Sequence, residues 1–360
     1  MAALSAEQEQ LIAGSCSGAI VAPWAQAPGM NPYWGPYDSV QTGHATDPHV
    51  RHHGSSGGVL SALAIHALET GLVERVLHIV ADPDHPTRNI IQLSSNPQEV
   101  LAGAGSRYAS SSPLADIDRL LGEGVRFAFI GKPCDVSALR QLARMDRRVD
   151  LLVPIKLSFF CGGMPSHAGA ERIIQAMGLV PSDVTRFRYR GEGWPGLTRA
   201  ETNDGRAGEM RYEDSWGGHL SKEVQFRCKI CPDAVGGVAD IACADAWYGG
   251  ESGYPQFEEQ DGRSLIMSRS PEGERLLRSA VGSGNIVVES LAVEDIGLMQ
   301  PSQARRKRLV SARMAACSAT LQPRPKTGGL MVRIASADAS IRDRLRDFIG
   351  TIRRIVLNRR

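Results

Sequence analysis

The hydrophobic and polar positions along the chain predict alternating helices and strands from about residue 57 onward. Apolar residues recur at helical spacing in VLSALAIHALETG (59–71), and VERVLHIVA (73–81) then has the apolar character of a buried strand. The alternation continues as far as LLVPIKLSFFCGG (151–163), which we interpret as another strand. Because this alternation is typical of α/β proteins, we predict a sheet that is mostly parallel in this half.

Beyond residue 165 the pattern becomes that of antiparallel strands. The stretch 183–214 predicts a strand and then a hairpin that turns at Asn203-Asp204-Gly205. Short strands are predicted within 239–247, 263–270 and 286–290, and the chain from about 300 onward is helical and basic. The predicted fold class is therefore α/β, a mixed sheet flanked by helices, with a cysteine-containing loop region and a helical C-terminal extension.

The first 55 residues predict little regular structure beyond a short helix at 4–13. The aromatic residues of this stretch could cover a planar substrate or could simply be buried to fix a long loop; they are Trp24, Tyr33, Trp34 and Tyr37. We divide the chain into a loop-rich segment (1–55), a main domain (56–298) and a basic helical extension (299–360).

Composition narrows the class of protein. Hydrophobic residues make up 42% of the 360 residues, which is enough for a large core, and the formal net charge is only +2. A dedicated nucleic-acid-binding protein would carry a stronger positive charge. Because neither a spanning apolar run nor a secretory signal pattern is present, we expect a cytoplasmic protein, whose seven cysteines serve packing, metal binding or catalysis.

Four of the cysteines form a candidate metal centre. Cys228 and Cys231 lie three positions apart and are followed by proline, a spacing that can ligate one metal centre from a tight turn. Cys134 and Cys161 follow predicted strands and are flanked by Gly or Pro. If consecutive parallel strands end on one side of the sheet, these two lie close together and the CxxC loop could close over them. For the CxxC pair, zinc binding and a redox disulfide remain alternatives. For Cys134 and Cys161, simple core packing remains an alternative.

Three short motifs are candidates for binding a cofactor. Ser55, Ser56, Gly57 and Gly58 open directly into a helix, where free amides could bind phosphate or a serine could simply cap the helix. The second motif, Ser106, Arg107 and Tyr108, offers a guanidinium and an aromatic ring. The third motif, Gly131, Lys132 and Pro133, places a cation beside the candidate metal centre.

The histidines before these motifs are weaker candidates. His44, His49, His52 and His53 are irregularly spaced, which favours a solvated loop over a metal site. His52 or His53 could instead donate a proton or contact phosphate beside the glycine-rich loop, and together with Lys132 they are our catalytic candidates.

Taken in order, these motifs resemble the coenzyme F420 (deazaflavin) hydrogenase/dehydrogenase beta-subunit family. The family also includes reductases for 7-hydroxymethyl chlorophyll a and for the 8-vinyl group of divinyl chlorophyllide. The motifs that carry the resemblance span about residues 50–290: HHGSSGGVLSALAIHALETG, GSRYASSS, FAFIGKPCDVSALRQL, FFCGGMPS, FRYRGEGWPG and CKICPDAVGGVADIACADAW.

The resemblance implies an α/β domain that binds FAD and a 4Fe-4S cluster and passes electrons between a one-electron donor and a two-electron acceptor. It implies that the cluster ligands are Cys134, Cys161, Cys228 and Cys231. Members commonly carry a ferredoxin-like cysteine array near the start, where this sequence has only Cys16, so we expect electrons to come from a separate ferredoxin-like donor protein. The acceptor would be a small molecule or a deazaflavin.

Two further alternatives follow from the sequence. The chain could be a non-catalytic electron-transfer subunit of a larger complex, or a zinc-stabilised binding module that has lost its redox role. The C-terminal stretch 341–360 has an apolar helical stripe and seven arginines, so it could lie on an anionic membrane surface, dock on a partner, or pack on its own domain.

Overall fold

A computed structural model describes residues 5–249 and 256–357. Its strands, numbered in chain order, are β1 Gly29–Asn31, β2 Gly35–Tyr37, β3 Ser39–Ala45, β4 Arg75–Ala81, β5 Asn89–Ser94, β6 Phe127–Ile130, β7 Lys156–Phe159, β8 Val184–Arg188, β9 Thr198–Thr202, β10 Ala207–Met210, β11 Ile241–Asp245, β12 Ser264–Ser268 and β13 Ile286–Ser290. Its α-helices are α1 Ala6–Ser15, α2 Pro48–His53, α3 Val59–Glu69, α4 Pro97–Ala102, α5 Ile117–Gly122, α6 Pro133–Ala143, α7 Arg148–Leu152, α8 His167–Ala176, α9 Phe226–Lys229, α10 Pro271–Gly282, α11 Ile296–Met299, α12 Pro301–Ala319, α13 Val332–Ala337 and α14 Ile341–Val356.

The main sheet has eight strands in the order β13-β3-β12-β11-β7-β6-β4-β5. The central four, β11, β7, β6 and β4, are parallel neighbours, and the remaining strands extend the sheet with antiparallel pairings. The predicted mixed sheet is therefore confirmed. Since β6, β7 and β11 run in the same direction, the segments that follow their last residues meet at one edge of the sheet.

Helices cover both faces of this sheet, as the alternation of apolar residues along the strands requires. Ala128 of β6 packs with Val59 and Leu63 of α3, and α10 adds Leu276 to the same core. The neighbouring β6 residues Phe127 and Phe129 belong to a second core with helices α5, α6 and α7. Consecutive residues of one strand thus serve opposite faces.

A smaller antiparallel sheet, β10-β9-β8, stands beside the main one. Strands β9 and β10 form the predicted hairpin, and Gly205 in its turn has a φ of +84° that favours glycine. Phe187 and Tyr189 pack under this sheet against Ile173 and Ile174 of α8.

The structure corrects three sequence-based expectations. The first 55 residues are not mostly irregular, because β3 inserts between β12 and β13 of the main sheet. The run 151–163 is not one strand: α7 includes residues 151–152, and the strand itself is only Lys156–Phe159. The histidine-rich stretch is not a loop, since β3 contains His44 and α2 contains the other three histidines.

The C-terminal helices pack against the N-terminal segment and the CxxC loop. One core joins Val21 and Trp24 with Ile230 of that loop, Val310 and Met314 of α12, and Ile355 of α14. In the part of the chain that the structure describes, no helix has the length and apolar character needed to cross a membrane.

Candidate functional site

A cavity of about 570 Å³ opens at the edge of the main sheet where β6, β7 and β11 end. Gly131 follows β6, Phe160 and Cys161 follow β7, and Asp245 ends β11; all four line the cavity. Its volume lies within the range of pockets that hold cofactors and drug-sized ligands. The site therefore forms where the topology brings together the ends of three strands that are neighbours in the sheet.

The glycine-rich loop supplies the wall at the start of α3. Gly58 is the N-cap residue, with a φ of +74° and no side chain capping the helix. A Cβ at Gly58 would lie 2.6 Å from the Val50 carbonyl oxygen, so this position requires glycine. In the part of the chain that the structure describes, no side chain caps the first amides of the helix at this wall, to which Gly54, Ser55, Ser56 and Gly58 contribute.

The serines of this loop do not cap the helix, so that alternative is wrong. The hydroxyls of Ser55 and Ser106 form a hydrogen bond of 2.7 Å, and Ser56 donates to the Arg263 carbonyl at 2.8 Å. Gly57 is not among the residues that line the cavity, and its N–H donates to Ser264 Oγ at 2.9 Å.

The second motif lines the cavity, but its guanidinium is already engaged. Arg107 donates to Asn89 Oδ1 at 2.9 Å and to the carbonyls of Phe187, Pro86 and Arg88 at 3.1, 2.7 and 2.7 Å. Most of its N–H donors are therefore used within the protein. Tyr108 packs near the ring of Trp216, at a centroid distance of 4.9 Å.

The third motif contributes Gly131 and Lys132 to the cavity, whereas Pro133 is not a lining residue and begins α6. Lys132 Nζ lies 2.7 Å from both Ser111 Oγ and Asp135 Oδ2. Burial lowers the pKa of Lys132, but Asp135 and the Cys134 thiol outweigh this effect and leave that pKa raised. A charged ammonium therefore lines the cavity and interacts with Cys134.

The structure does not bring His52 or His53 into the cavity wall. The His53 ring lies 4.2 Å from that of His49, between centroids, and burial followed by the charges of His49 and Arg188 lowers the pKa of His53. Within residues 5–249 and 256–357, no three His, Cys, Asp or Glu side chains are grouped closely enough to hold a single metal ion.

The four cysteines of the predicted set converge beside the cavity. Cys134 is the second residue of α6 and Cys161 follows the adjacent strand β7, while the CxxC loop lies against them. The Cys161 N–H donates to the Ala234 carbonyl at 2.8 Å, and the Met164 N–H donates to Cys228 Sγ at 3.4 Å. The structure thus brings Cys134 near Cys161 and sets the CxxC loop against the Cys161 segment, while the role of these cysteines as ligands of one centre stays a prediction.

The pKa values of Cys134 and Cys161 also reflect the proximity of other cysteines. Burial raises the pKa of Cys161 to about 11, with further contributions from Cys228 and Cys231. The pKa of Cys134 is raised well above its usual range by burial, then by Asp135, and further by Cys161 and Cys231. Cys134 and Cys161 therefore need positive charge nearby to become thiolates, and a metal centre supplies such charge.

Asp233, which closes the CKICPD motif, holds the CxxC loop in shape. Its carboxylate accepts from Trp24 Nε1 at 3.3 Å and from the N–H of Gly237 at 3.0 Å. Trp24 is buried, and Trp34 stacks on Phe160 at 6.0 Å between ring centroids. Both tryptophans therefore fix loops, and neither lines the cavity.

Sequence reasoning missed two groups of residues at this site. Arg190 and Asp245 form a buried ion pair of 2.6 Å at the cavity, and the Arg190 guanidinium lies over the Trp247 ring at 4.8 Å. Gln303 and Arg306 of α12 also line the cavity. The run of basic residues at 305–308 was visible in the sequence, but nothing in it indicates that a distant helix returns to the cysteine loops.

Comparison with known proteins identifies the family. Two family models describe the beta subunit of coenzyme F420 hydrogenase/dehydrogenase: the model of its N-terminal part matches residues 40–117, and the model of its C terminus matches residues 124–294. The chain belongs to this beta-subunit family. The resemblance of the motifs is thereby confirmed, and the matched ranges include the glycine-rich loop and all four converging cysteines.

Several relatives of the beta-subunit family are similar over most of this chain. The coenzyme F420 hydrogenase subunit beta of Methanococcus voltae is 26% identical over 73% of this chain and 87% of its own length. The chloroplastic 7-hydroxymethyl chlorophyll a reductase of Oryza sativa subsp. japonica is 24% identical over 68% of this chain but only 49% of its own length. A chain of the F420-reducing [NiFe] hydrogenase complex from Methanosarcina barkeri shares the fold, with a TM-score of 0.62, 18% identity, and coverage of 83% of this chain and 99% of that one.

Proposed function

We propose that this chain is an iron–sulfur flavoprotein oxidoreductase that passes electrons between a one-electron donor and a two-electron acceptor, with FAD in the cavity and a 4Fe-4S cluster on Cys134, Cys161, Cys228 and Cys231. One observation carries the proposal: Cys161 belongs to the converging thiols and also lines the cavity. The proposed cluster and flavin sites therefore share a wall.

The thiol set fits a cluster better than a single ion. Cys134 interacts with Cys161 and Cys231, and Cys161 interacts with Cys228 and Cys231. Within the described ranges, however, no three potential ligands approach one another as a single zinc ion requires. In a four-iron cluster each thiolate binds a different iron, so the sulfurs lie farther apart than around one ion. The Met164 N–H that donates to Cys228 Sγ at 3.4 Å is the kind of hydrogen bond that adjusts cluster potentials.

The cavity fits a dinucleotide cofactor. The uncapped first turn of α3 presents free amides and the positive end of the helix dipole, which favour a pyrophosphate. Lys132 places a positive charge on the same wall. FAD, when bound, exchanges electrons singly or in pairs, while the protein supplies binding, orientation and charge.

The named relatives support a partner protein as electron donor. They include beta subunits of F420 hydrogenase and of F420-dependent formate dehydrogenase, whose names imply that they work beside other subunits. We place the donor, a ferredoxin-like one-electron carrier, near the half-buried CxxC loop, where Arg227 and Lys229 add positive charge. The acceptor would be a small molecule or a deazaflavin, and a cytoplasmic location would suit both.

The apolar stripe of α14 fits an anionic membrane surface. The helix packs on α12 along the side where Asp347 pairs with Arg313 at 2.7 Å, and Thr351 and Ile355 are buried on the same side. Ile341, Leu345 and Ile349 are therefore left 84%, 56% and 55% exposed. An exposed apolar stripe flanked by arginines matches helices that lie in the membrane interface.

Anaerobic purification tests the proposed function directly. We expect extracted FAD, about four irons and four acid-labile sulfides per chain, and broad visible absorption that Cys228→Ser abolishes. Cys16→Ser is the matched control, because Cys16 is an exposed cysteine outside the proposed ligand set. A colourless oxygen-free preparation, or full cluster content in Cys228→Ser, would contradict the proposal.

The same preparation separates the alternatives. Zinc in place of iron and sulfide would indicate that the chain is a zinc-stabilised binding module without a redox role. Iron and flavin without turnover, assayed with artificial electron donors, would indicate a subunit that transfers electrons but relies on a larger complex for substrate chemistry.

A further inference from the structure

Helix α12 bonds to the loop that carries Cys161. Gln303 Nε2 and Arg306 Nη1 donate to the Cys161 carbonyl oxygen at 3.0 and 2.9 Å, and Arg306 Nη2 donates to the Gly162 carbonyl. Two side chains, one turn apart on one helix, thus hold the backbone of a proposed cluster ligand. The helix begins at Pro301, beyond the residues 124–294 that the family model matches.

The same helix bonds to the CxxC loop. Lys307 Nζ donates to the Pro232 carbonyl at 2.9 Å and to the Leu330 carbonyl at 2.8 Å. The Lys307 side chain is only 5% exposed, and its Nζ lies 3.9 Å from the centroid of the Trp24 ring. Farther along α12, Arg313 donates to the Lys229 carbonyl at 3.0 Å. Side chains of α12 therefore bond to the backbone of both cysteine loops.

The surroundings of Lys307 leave its charge directed at the CxxC loop. Its Nζ has two backbone carbonyls as acceptors, and in the described part of the chain it forms no ion pair with a carboxylate. Lysines are rarely buried without such a pair, because desolvation of the ammonium is costly. Asp233 in the CxxC loop offsets part of this cost, and a cluster on four thiolates would add further negative charge beside Lys307.

We propose that α12 is a clamp that holds both cysteine loops in their ligating arrangement, and that Lys307 is a positioning residue whose positive charge raises the reduction potential of the cluster. This inference rests on the proposed function. Reduction adds one electron to a centre that is already negative, so a positive charge on Lys307, close to Cys231, stabilises the reduced state more than the oxidised one. Loss of that charge must lower the potential.

The test compares Lys307→Met with Lys307→Arg in the full-length, anaerobically purified protein. Each is titrated with dithionite at one pH while the cluster absorbance is recorded, and iron and sulfide are counted per chain. We expect a full cluster with a more negative midpoint potential in Lys307→Met and a midpoint near that of the wild type in Lys307→Arg. Arg305→Gln is the control, since Arg305 lies on the same helix, pairs with Asp347 and is half exposed.

A second variant tests the clamp without relying on Lys307. Arg306→Met removes the donors to the Cys161 and Gly162 carbonyls, and we expect iron release to a chelator to become about 10-fold faster than in the wild type, as is usual when partners of metal ligands are lost. Arg305→Gln should release iron at the wild-type rate.

The outcomes distinguish this inference from the proposed function. A wild-type protein without iron and sulfide would overturn both. A wild-type protein with its cluster, but with an unchanged midpoint in fully loaded Lys307→Met or an equal shift in Lys307→Arg, would overturn the role of Lys307. An unchanged rate of iron release in Arg306→Met would overturn the clamp.

Discussion

At the scale of single residues, His78 makes the stability of the protein dependent on pH. Its ring is buried on β4, with Nε2 2.7 Å from Ser94 Oγ, and burial lowers the pKa of His78 to about 4. In the unfolded chain a histidine has a pKa of about 6.5, so between these values the unfolded state binds more protons. Stability should therefore be complete above pH 6.5 and fall as the pH drops toward 4.

We expect the free energy of unfolding to fall by about 2 kcal/mol between pH 7 and pH 5 because of this histidine. Urea unfolding followed by circular dichroism at several pH values measures the fall. His78→Gln, which has no group titrating in this range, should flatten the curve. The same slope in both proteins would show that other groups cause the effect.

Residue types alone did not settle which side chains would face the cavity. Arg107 has the chemistry of a phosphate ligand, yet backbone carbonyls from two other segments occupy most of its donors. Lys132 does line the cavity, because it closely follows a parallel strand. The sequence reveals where a strand ends, but it does not reveal which carbonyls will need a donor after folding.

At the scale of elements, α14 allows a direct test of membrane contact. We expect the full chain to sediment with vesicles containing phosphatidylserine and to stay in solution with neutral vesicles. Leu345→Ser combined with Ile349→Ser should reduce binding at least about 10-fold, because each side chain contributes apolar area at the membrane interface. Leu321→Ser is the matched control: Leu321 is 93% exposed but lies outside the helix. Equal sedimentation of both variants, or no binding by the wild type, would contradict the proposal.

The elements with strong periodicity were predicted well, and the weakly patterned ones were not. The parallel strands β4 and β6 are short apolar runs near glycine and were anticipated, whereas β7 occupies only part of the strand predicted at 151–163. Strand β3, SVQTGHA, contains only two apolar side chains beyond glycine, and its partners lie more than two hundred positions away. Its place in the sheet depends on pairing with β12 and β13, and the local pattern of hydrophobic residues does not indicate such long-range pairing.

At the scale of the whole molecule, the N-terminal segment, the CxxC loop and the C-terminal helices share one core. Deletion of residues 299–360 removes Val310, Met314, Cys317 and Ile355 from that core. We expect the midpoint of thermal unfolding to fall by about 10 °C or more, because several buried side chains lose their partners.

Deletion of residues 1–15 is the control, since α1 buries none of its residues. Calorimetry or circular dichroism measures both proteins, and the N-terminal deletion should melt close to the full chain. A stable truncated protein ending at residue 298 would show instead that the C-terminal extension is an independent unit.

The position of β3 between β12 and β13 has a consequence for biosynthesis. Residues 39–45 leave the ribosome more than two hundred residues before both of their hydrogen-bonding neighbours. At about 5–20 residues per second, the nascent strand waits roughly 10 to 50 seconds for them. During that interval its backbone donors and acceptors are open to other chains, so we expect chaperone demand and the yield of recombinant protein to depend on this stretch.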